Sequence, residues 1–145
     1  MIYWLTGQPG AGKTVLADLL RKEKPGSFRL DGDEMRDLFS NKDYSIKGRI
    51  ANIDAAQKIA HYLNNQEKNV IVSLVSPYLD QREEFKTLLG DELVEFYIHT
   101  SEERGREQYH VEGYQPPLDN FVNIDTTYDT VEESFKKIVN YVKEV

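Results

Sequence analysis

The sequence contains no cysteine, which excludes disulfides, thiolate metal sites and thiol nucleophiles. It lacks any apolar run approaching the roughly 20 residues that a membrane-spanning helix needs, so no membrane partner is expected. No basic leader with a cleavage site precedes Ile2-Tyr3-Trp4-Leu5-Thr6, and a signal peptide is not expected. Histidine is confined to His61, His99 and His110, too scattered to read as metal ligands. Positive charge is scarce as well. The 18 Lys and Arg face 25 Asp and Glu, a formal net charge of -7, which argues against broad nucleic-acid binding. A small anion is still within reach, because a few local cations and backbone amides can hold one. These features suit the cytoplasm.

What is present is the composition of an ordinary globular protein, 39% hydrophobic and 30% charged, long enough at 145 residues to bury a core as one domain over 1–145. Short apolar runs alternate with amphipathic stretches. Strands are predicted at Ile2–Thr6, Ser27–Leu30, Asn69–Val75, Leu93–His99 and Phe121–Ile124. The third is nearly continuous in Val70, Ile71, Val72, Leu74 and Val75, as suits a parallel strand covered on both faces. Helices are predicted from Lys13 to about Lys22, with Val15, Leu16, Leu19 and Leu20 on the apolar face, and near Glu34–Phe39. Others are predicted at Lys47–Asn64, carrying Ile50, Ile53, Ile59, Ala60 and Leu63, and at Leu79–Leu89. Thr100 with Glu103, and Thr130 with Glu133, have the spacing of capping boxes that open two further helices. The last helix would bury Val131, Phe135, Ile138, Val139 and Val142. Strand–helix alternation of this kind implies a three-layer α/β/α fold on a five-stranded parallel sheet. Ligands in such sheets bind at the carboxyl ends of the strands, which directs attention to the loops after Thr6, Leu30 and Val75.

The first of those loops, Gly7-Gln8-Pro9-Gly10-Ala11-Gly12-Lys13-Thr14, matches G-x-x-x-x-G-K-[ST] in its required context, after an apolar strand and opening a helix. Triphosphate binding needs main-chain N–H groups turned toward the anion, and glycine leaves that approach unobstructed. Gly7, Gly10, Ala11 and Gly12 would form the cradle for ATP. Lys13 would reach the β- and γ-phosphates, and the Thr14 hydroxyl would ligate Mg²⁺. The motif predicts a P-loop, and with it an ATP-binding phosphotransferase is expected.

The second loop reads Leu30-Asp31-Gly32-Asp33-Glu34-Met35-Arg36. One carboxylate could help to hold hydrated Mg²⁺, the other could take a proton from an attacking hydroxyl, and Arg36 could clamp an anionic acceptor. A solvated acidic turn that caps a helix explains the same residues.

With these motifs the chain resembles the adenylylsulfate kinases, which phosphorylate the ribose 3′-hydroxyl of adenosine 5′-phosphosulfate. The resemblance runs through the phosphate loop, Leu30-Asp31-Gly32-Asp33-x-x-Arg36, Arg49-x-x-Asn52-Ile53, Ser73-Leu74-Val75-Ser76-Pro77-Tyr78 and Asn123-Ile124-Asp125-Thr126, in that order over most of the chain. It implies an ATP- and Mg²⁺-dependent kinase of sulfate assimilation, with a nucleotide as its small-molecule partner and a homodimer among the assemblies it allows. It places Lys13, Asp33 and Asp31 in catalysis, Asp31 with Thr14 near the metal, and Asp33 at the acceptor ribose. Arg36 and Arg49 would bind the phosphosulfate with Asn52 assisting, Tyr44 would stack on the substrate base, and Val75 and Ser76 would shape the substrate loop.

The chain departs from the family pattern at three places. Gly48 stands where the family has aspartate, Asp54 and Ala55 replace an Arg-Arg pair, and the lid is short, running Glu103-Arg104-Gly105-Arg106-Glu107-Gln108-Tyr109-His110 without a counterpart of the family's lid lysine or phenylalanine. Arg104 and Arg106 could close over ATP and steady the transferring phosphoryl; an exposed charged helix end accounts for them equally well. The departures keep two alternatives open: a P-loop kinase for another nucleotide, sugar or small hydroxyl compound, and a non-catalytic ATP-binding regulator.

Overall fold

A computed structural model describes residues 1–142; the last three positions of the expected 1–145 domain lie outside the described residues. Five parallel strands, β1 (Ile2–Thr6), β2 (Phe28–Asp31), β3 (Val70–Ser73), β4 (Leu93–His99) and β5 (Val122–Asp125), form one sheet in the order β2-β3-β1-β4-β5. Between them run the helices α1 (Lys13–Glu23), α2 (Gly32–Phe39), α3 (Ile46–Asn65) and α4 (Leu79–Leu89), with α5 (Val131–Val139) closing the chain.

Alternation along the central strand builds the three layers. Ile2 and Trp4 of β1 face Met35, Ile53, Ala56 and Phe85 from α2, α3 and α4. Tyr3 and Leu5 face Leu16, Ala17, Leu20 and Ile138 from α1 and α5. Both sets are essentially withdrawn from water, so the sheet is covered on each side, as its continuous apolar strands require. The Trp4 indole meets Phe85 edge-on at 5.7 Å between ring centroids, a geometry worth about 0.5–1.5 kcal/mol beyond area burial. No helix among the described residues is long and apolar enough to cross a membrane.

Several expected details differ. β3 ends at Ser73, and Leu74 and Val75 leave the ladder because the chain must turn there over the end of the sheet. Val15, Ile50 and Val131 lie on solvent faces of their helices; Ala17, Asn52 and Ser134 occupy the inward positions instead. The box at Thr130 and Glu133 forms with both reciprocal bonds. The one expected at Thr100 and Glu103 does not. There the Thr100 hydroxyl accepts from the Glu102 N–H, Glu107 takes the Arg104 N–H, and Gly105 sits in the left-handed region at φ 77°. These local bonds draw the backbone away from a helix, and only a 3₁₀ turn at Glu107–Tyr109 remains.

The chain crosses from β1 to the edge strand β2, returns to β3, and then continues on the other side of β1. The reversal leaves a crevice at the carboxyl ends of β1 and β3, where the phosphate loop, the Asp31–Asp33 turn and the segment after Ser73 converge.

Candidate active site

The phosphate loop owes its shape to two close approaches. A Cβ on Gly7 (φ 151°) would lie 2.1 Å from the Ile98 carbonyl oxygen, so only glycine fits against β4. Gly10, at φ 86°, has the Cβ of Arg106 about 3.0 Å from where its own would stand, so the lid lies directly on the loop. Lys13 opens α1 and is 9% exposed. Its ammonium donates to the Gln8 carbonyl at 2.9 Å, and burial lowers its pKa from the usual lysine value to about 8, with Asp31 opposing the shift and Arg106 adding to it. A buried lysine with one neutral partner lacks an anion.

The cavity beside it, about 320 Å³, is lined by Gly10, Gly12, Lys13, Thr14, Asp31, Asp33, Ser73 and Arg106 among others. Asp31 ends β2 and caps α2: one carboxylate oxygen accepts from the Asp33 N–H at 3.2 Å, the other from the Ser73 hydroxyl at 3.3 Å. The register pairs Asp31 with Ser73 across the two strands, which brings these side chains together. The acidic turn is thus a helix cap and also part of the phosphate cavity. The Thr14 hydroxyl and the Asp31 carboxylate supply hard oxygen donors of the kind that Mg²⁺ takes when it arrives with nucleotide phosphates, and these residues fit it. No cluster of three or more His, Cys, Asp or Glu able to hold an ion comes together among the described residues; Mg²⁺ bound to phosphates needs only one or two carboxylates.

A second cavity, about 560 Å³, adjoins the first and collects the residues expected around the acceptor: Asp33, Arg36, Tyr44, Arg49, Asn52, Val75 and Ser76 all line it. Arg36 is already engaged. Its guanidinium donates to the Asn41 and Asp43 carbonyls at 3.2 and 3.0 Å and lies 3.9 Å from the Tyr44 ring centre, covering one ring face. The Arg49 side chain has no hydrogen-bond or ion-pair partner among the described residues, so its charge is uncommitted. Asn52 is 7% exposed, and its amide nitrogen reaches the Gly32 carbonyl at 3.4 Å while its oxygen is unpartnered. The Ser76 hydroxyl accepts from the Trp4 indole at 3.0 Å and donates to the Leu74 carbonyl, so it braces the loop from behind.

Two of the departures acquire a physical reason. A Cβ on Gly48 would fall 2.0 Å from the Asp43 carbonyl oxygen and 2.5 Å from its side-chain carboxyl carbon. The space that a residue at 48 would use is filled by Asp43, whose pKa is lowered by hydrogen bonds from Ser45. Asp54 pairs with Lys58 at 2.9 Å and faces the α3–α4 groove, while Ala55 packs against the core. Neither is in the acceptor cavity, whose cations are Arg36, Arg49 and Arg106.

The two lid arginines separate. Arg104 donates to the Thr126 carbonyl at 2.8 Å and to the Ala11 carbonyl at 3.5 Å, bracing the phosphate loop against the end of β5. Arg106 lines both cavities. Asp33 is the other charged side chain common to the two, so one acid and one base stand where donor and acceptor spaces meet.

Sequence reasoning missed three parts of the site. Tyr109 and His110 of the lid line the acceptor cavity, Gln8 binds the lid, and a buried ion network supports the loop after β3. Only the network left a readable trace: Arg82, Phe85, Lys86 and Leu89 share one face of α4 by their spacing and are all buried.

The model of the adenylylsulphate kinase family matches residues 1–135. The adenylyl-sulfate kinase of Staphylococcus epidermidis is 31% identical, over 99% of this chain and 84% of the relative. The cytidine diphosphoramidate kinase of Campylobacter jejuni is 29% identical, over 90% of this chain and 81% of the relative. The solved APS kinase of Mycobacterium tuberculosis in complex with AMPPNP and APS superposes with a TM-score of 0.78 over 96% of this chain and 95% of that one; at 20% identity it speaks for the fold.

Proposed function

The chain belongs to the adenylylsulphate kinase family, and on that premise we propose that it transfers the γ-phosphoryl of ATP to the 3′-hydroxyl of adenosine 5′-phosphosulfate, as one kinase domain spanning 1–145. The observation that carries the reading is the shared boundary of the two cavities, lined by Asp33 and Arg106. The nucleotide's phosphates lie on the glycine loop, with the Lys13 ammonium between the β- and γ-groups. Burial of Lys13 raises the strength of that contact, since little water competes for the charge. Thr14 and Asp31 would hold Mg²⁺ together with the phosphates, and the ion would supply positive charge to offset that of the transferring group.

The acceptor occupies the larger cavity with its anionic end toward Arg49 and Arg36 and its base against the free face of Tyr44. Its hydroxyl attacks the γ-phosphorus in line. The new O–P bond forms as the bond to the β-phosphate oxygen breaks, ADP leaves, and the hydroxyl proton passes to the Asp33 carboxylate. Arg106 offers its guanidinium to the equatorial oxygens. Asn52 and Ser76 keep the cavity's shape from behind.

A coupled assay with Mg·ATP and adenosine 5′-phosphosulfate tests the assignment; no 3′-phosphorylated product at high enzyme concentration would sink it. A second reading, a kinase for the hydroxyl of a different nucleotide, is favoured by one observation. Arg36 is committed to its own loop, so the acceptor's anion meets fewer uncommitted cations than the motif suggests. The relative named for a cytidine nucleotide makes a cytidine diphosphate derivative the acceptor to compare in the same assay. A cytoplasmic setting and a homodimer complete the proposal; exposed Leu38, Phe39 and Ile46 support self-association, which sedimentation would measure.

A further inference from the structure

Gln8 belongs to the phosphate loop but does not line the phosphate cavity. Its side chain turns to the lid, where the amide nitrogen donates to the Val111 carbonyl at 2.9 Å and the amide oxygen accepts from the Val111 N–H at 2.8 Å. A side chain here copies the paired bonds of two neighbouring strands. Apart from the Glu107 carboxylate, which accepts from the N–H of the adjoining Arg104, no other hydrogen bond among the described residues joins 105–113 to the rest of the molecule. The roots of this segment are fixed elsewhere: Arg104 holds the Thr126 carbonyl, and Tyr114 shares a 2.8 Å bond with Thr6. Between those roots, Val111 alone is half-buried and the rest is exposed. The same Gln8 uses its main-chain carbonyl to receive the Lys13 ammonium at 2.9 Å. One residue therefore touches the phosphate-binding lysine with its backbone and the lid with its side chain.

We infer that Gln8 is a positioning residue for the transfer: its amide seats the lid on the phosphate loop, which sets Arg106 at the boundary of the two cavities and excludes water from the γ-phosphoryl. The inference rests on the kinase reading. An arriving triphosphate takes Lys13 from the Gln8 carbonyl, so a filled loop and a seated lid act through one residue. A lid that is loose leaves water to compete with the acceptor hydroxyl.

The test uses the full chain with Gln8→Leu, which removes both bonds at similar size, and Gln8→Glu, which keeps an acceptor for the Val111 N–H. Hydrogen exchange at the Val111 amide, measured without nucleotide, is expected to be about tenfold faster in Gln8→Leu than in the wild type, with Gln8→Glu between them. Calorimetry should find the Kd for Mg·ATP within about threefold, while kcat for transfer falls about tenfold and hydrolysis without acceptor rises relative to transfer. A purely structural role would not move that partition. Equal exchange rates at Val111 in wild type and Gln8→Leu overturn the latch, and so does an unchanged kcat and partition in Gln8→Leu. A wild type that phosphorylates no acceptor would refute the kinase reading instead, while the exchange contrast would still decide whether Gln8 holds the lid.

Discussion

Arg82 and Glu95 meet at 3.0 Å in the interior, with side chains 2% and 1% exposed, and Lys86 closes on the other Glu95 oxygen at 2.8 Å. The cations then reach outward to main-chain carbonyls: Arg82 to Ser76 and Gln115, Lys86 to Asp119. The carboxylate on β4 thereby holds two α4 cations that tie the loop after β3 to the stem of the lid. Removing the anion leaves Arg82 buried with no carboxylate partner and Lys86 with Glu83 alone, at 3.1 Å. Glu95→Ala should cost about 3–5 kcal/mol in urea unfolding, the scale for breaking a buried pair. A loss below about 1 kcal/mol would mean that water or a rearranged side chain replaces the carboxylate.

Asp33→Asn keeps the size of the side chain and removes its capacity to take a proton. General-base catalysis is worth about 10²–10⁴ in rate, so kcat should fall by that factor. No hydrogen bond or ion pair among the described residues joins the Asp33 side chain to the glycine loop, so the Kd for Mg·ATP should stay within about threefold. Stopped assays and calorimetry on the same preparation separate the two. Retained turnover would leave Asp33 as an exposed turn residue and would point to solvent as the proton acceptor.

How much of this was legible beforehand differs by element. β1 and β4 and the helix at Leu79–Leu89 have the bounds that hydrophobic pattern indicated, because each presents an uninterrupted or strictly periodic apolar set to a covered sheet. The glycine loop was legible because its chemistry is local: backbone must approach a phosphate, and at Gly7 it must also pass the Ile98 carbonyl. The lid was not. Its conformation depends on Gln8, about a hundred residues away, and on the left-handed Gly105, while the Thr100–Glu103 spacing pointed to a helix that competing side-chain bonds prevent. The commitment of Arg36 to Asn41 and Asp43, and the filling of the space at Gly48 by Asp43, are loop geometries to which no periodicity corresponds.

Lys13 predicts a pH dependence of nucleotide binding. In the empty loop burial lowers its pKa to about 8, so the ammonium predominates below that pH and the neutral amine above it. Bound phosphates favour the charged form and raise the pKa, so binding above pH 8 must take up a proton. The Kd for Mg·ATP should therefore be nearly constant from pH 6.5 to 7.5 by this group, then rise by up to about tenfold per pH unit above ~8. Calorimetry at pH 9 in two buffers of different ionisation enthalpy should register uptake of close to one proton. Lys13→Met should bind weakly and without that uptake. An affinity in the wild type that is flat through pH 9.5 would show that the ammonium stays charged in the empty loop.

The two lid arginines give the sharpest separation of roles. Arg106 lines both cavities, where charge develops on the transferring phosphoryl, and Arg104 is spent on the carbonyls of Ala11 and Thr126. An interaction made chiefly in the transition state lowers kcat when lost; one that braces the ground-state loop raises the Kd of the nucleotide or lowers stability. Arg106→Ala should therefore reduce kcat by about 10²–10³ with little change in Kd, the scale for deleting one preorganised donor. Arg106→Lys keeps a charge without the planar fork and should recover part of that loss. Arg104→Ala should do the reverse, weakening Mg·ATP binding several-fold or lowering Tm, with kcat at saturating nucleotide within about tenfold of wild type. If Arg104→Ala lowers kcat further than Arg106→Ala, the lid rearranges around bound nucleotide so that Arg104 faces the phosphates, and the assignment of the boundary charge to Arg106 fails.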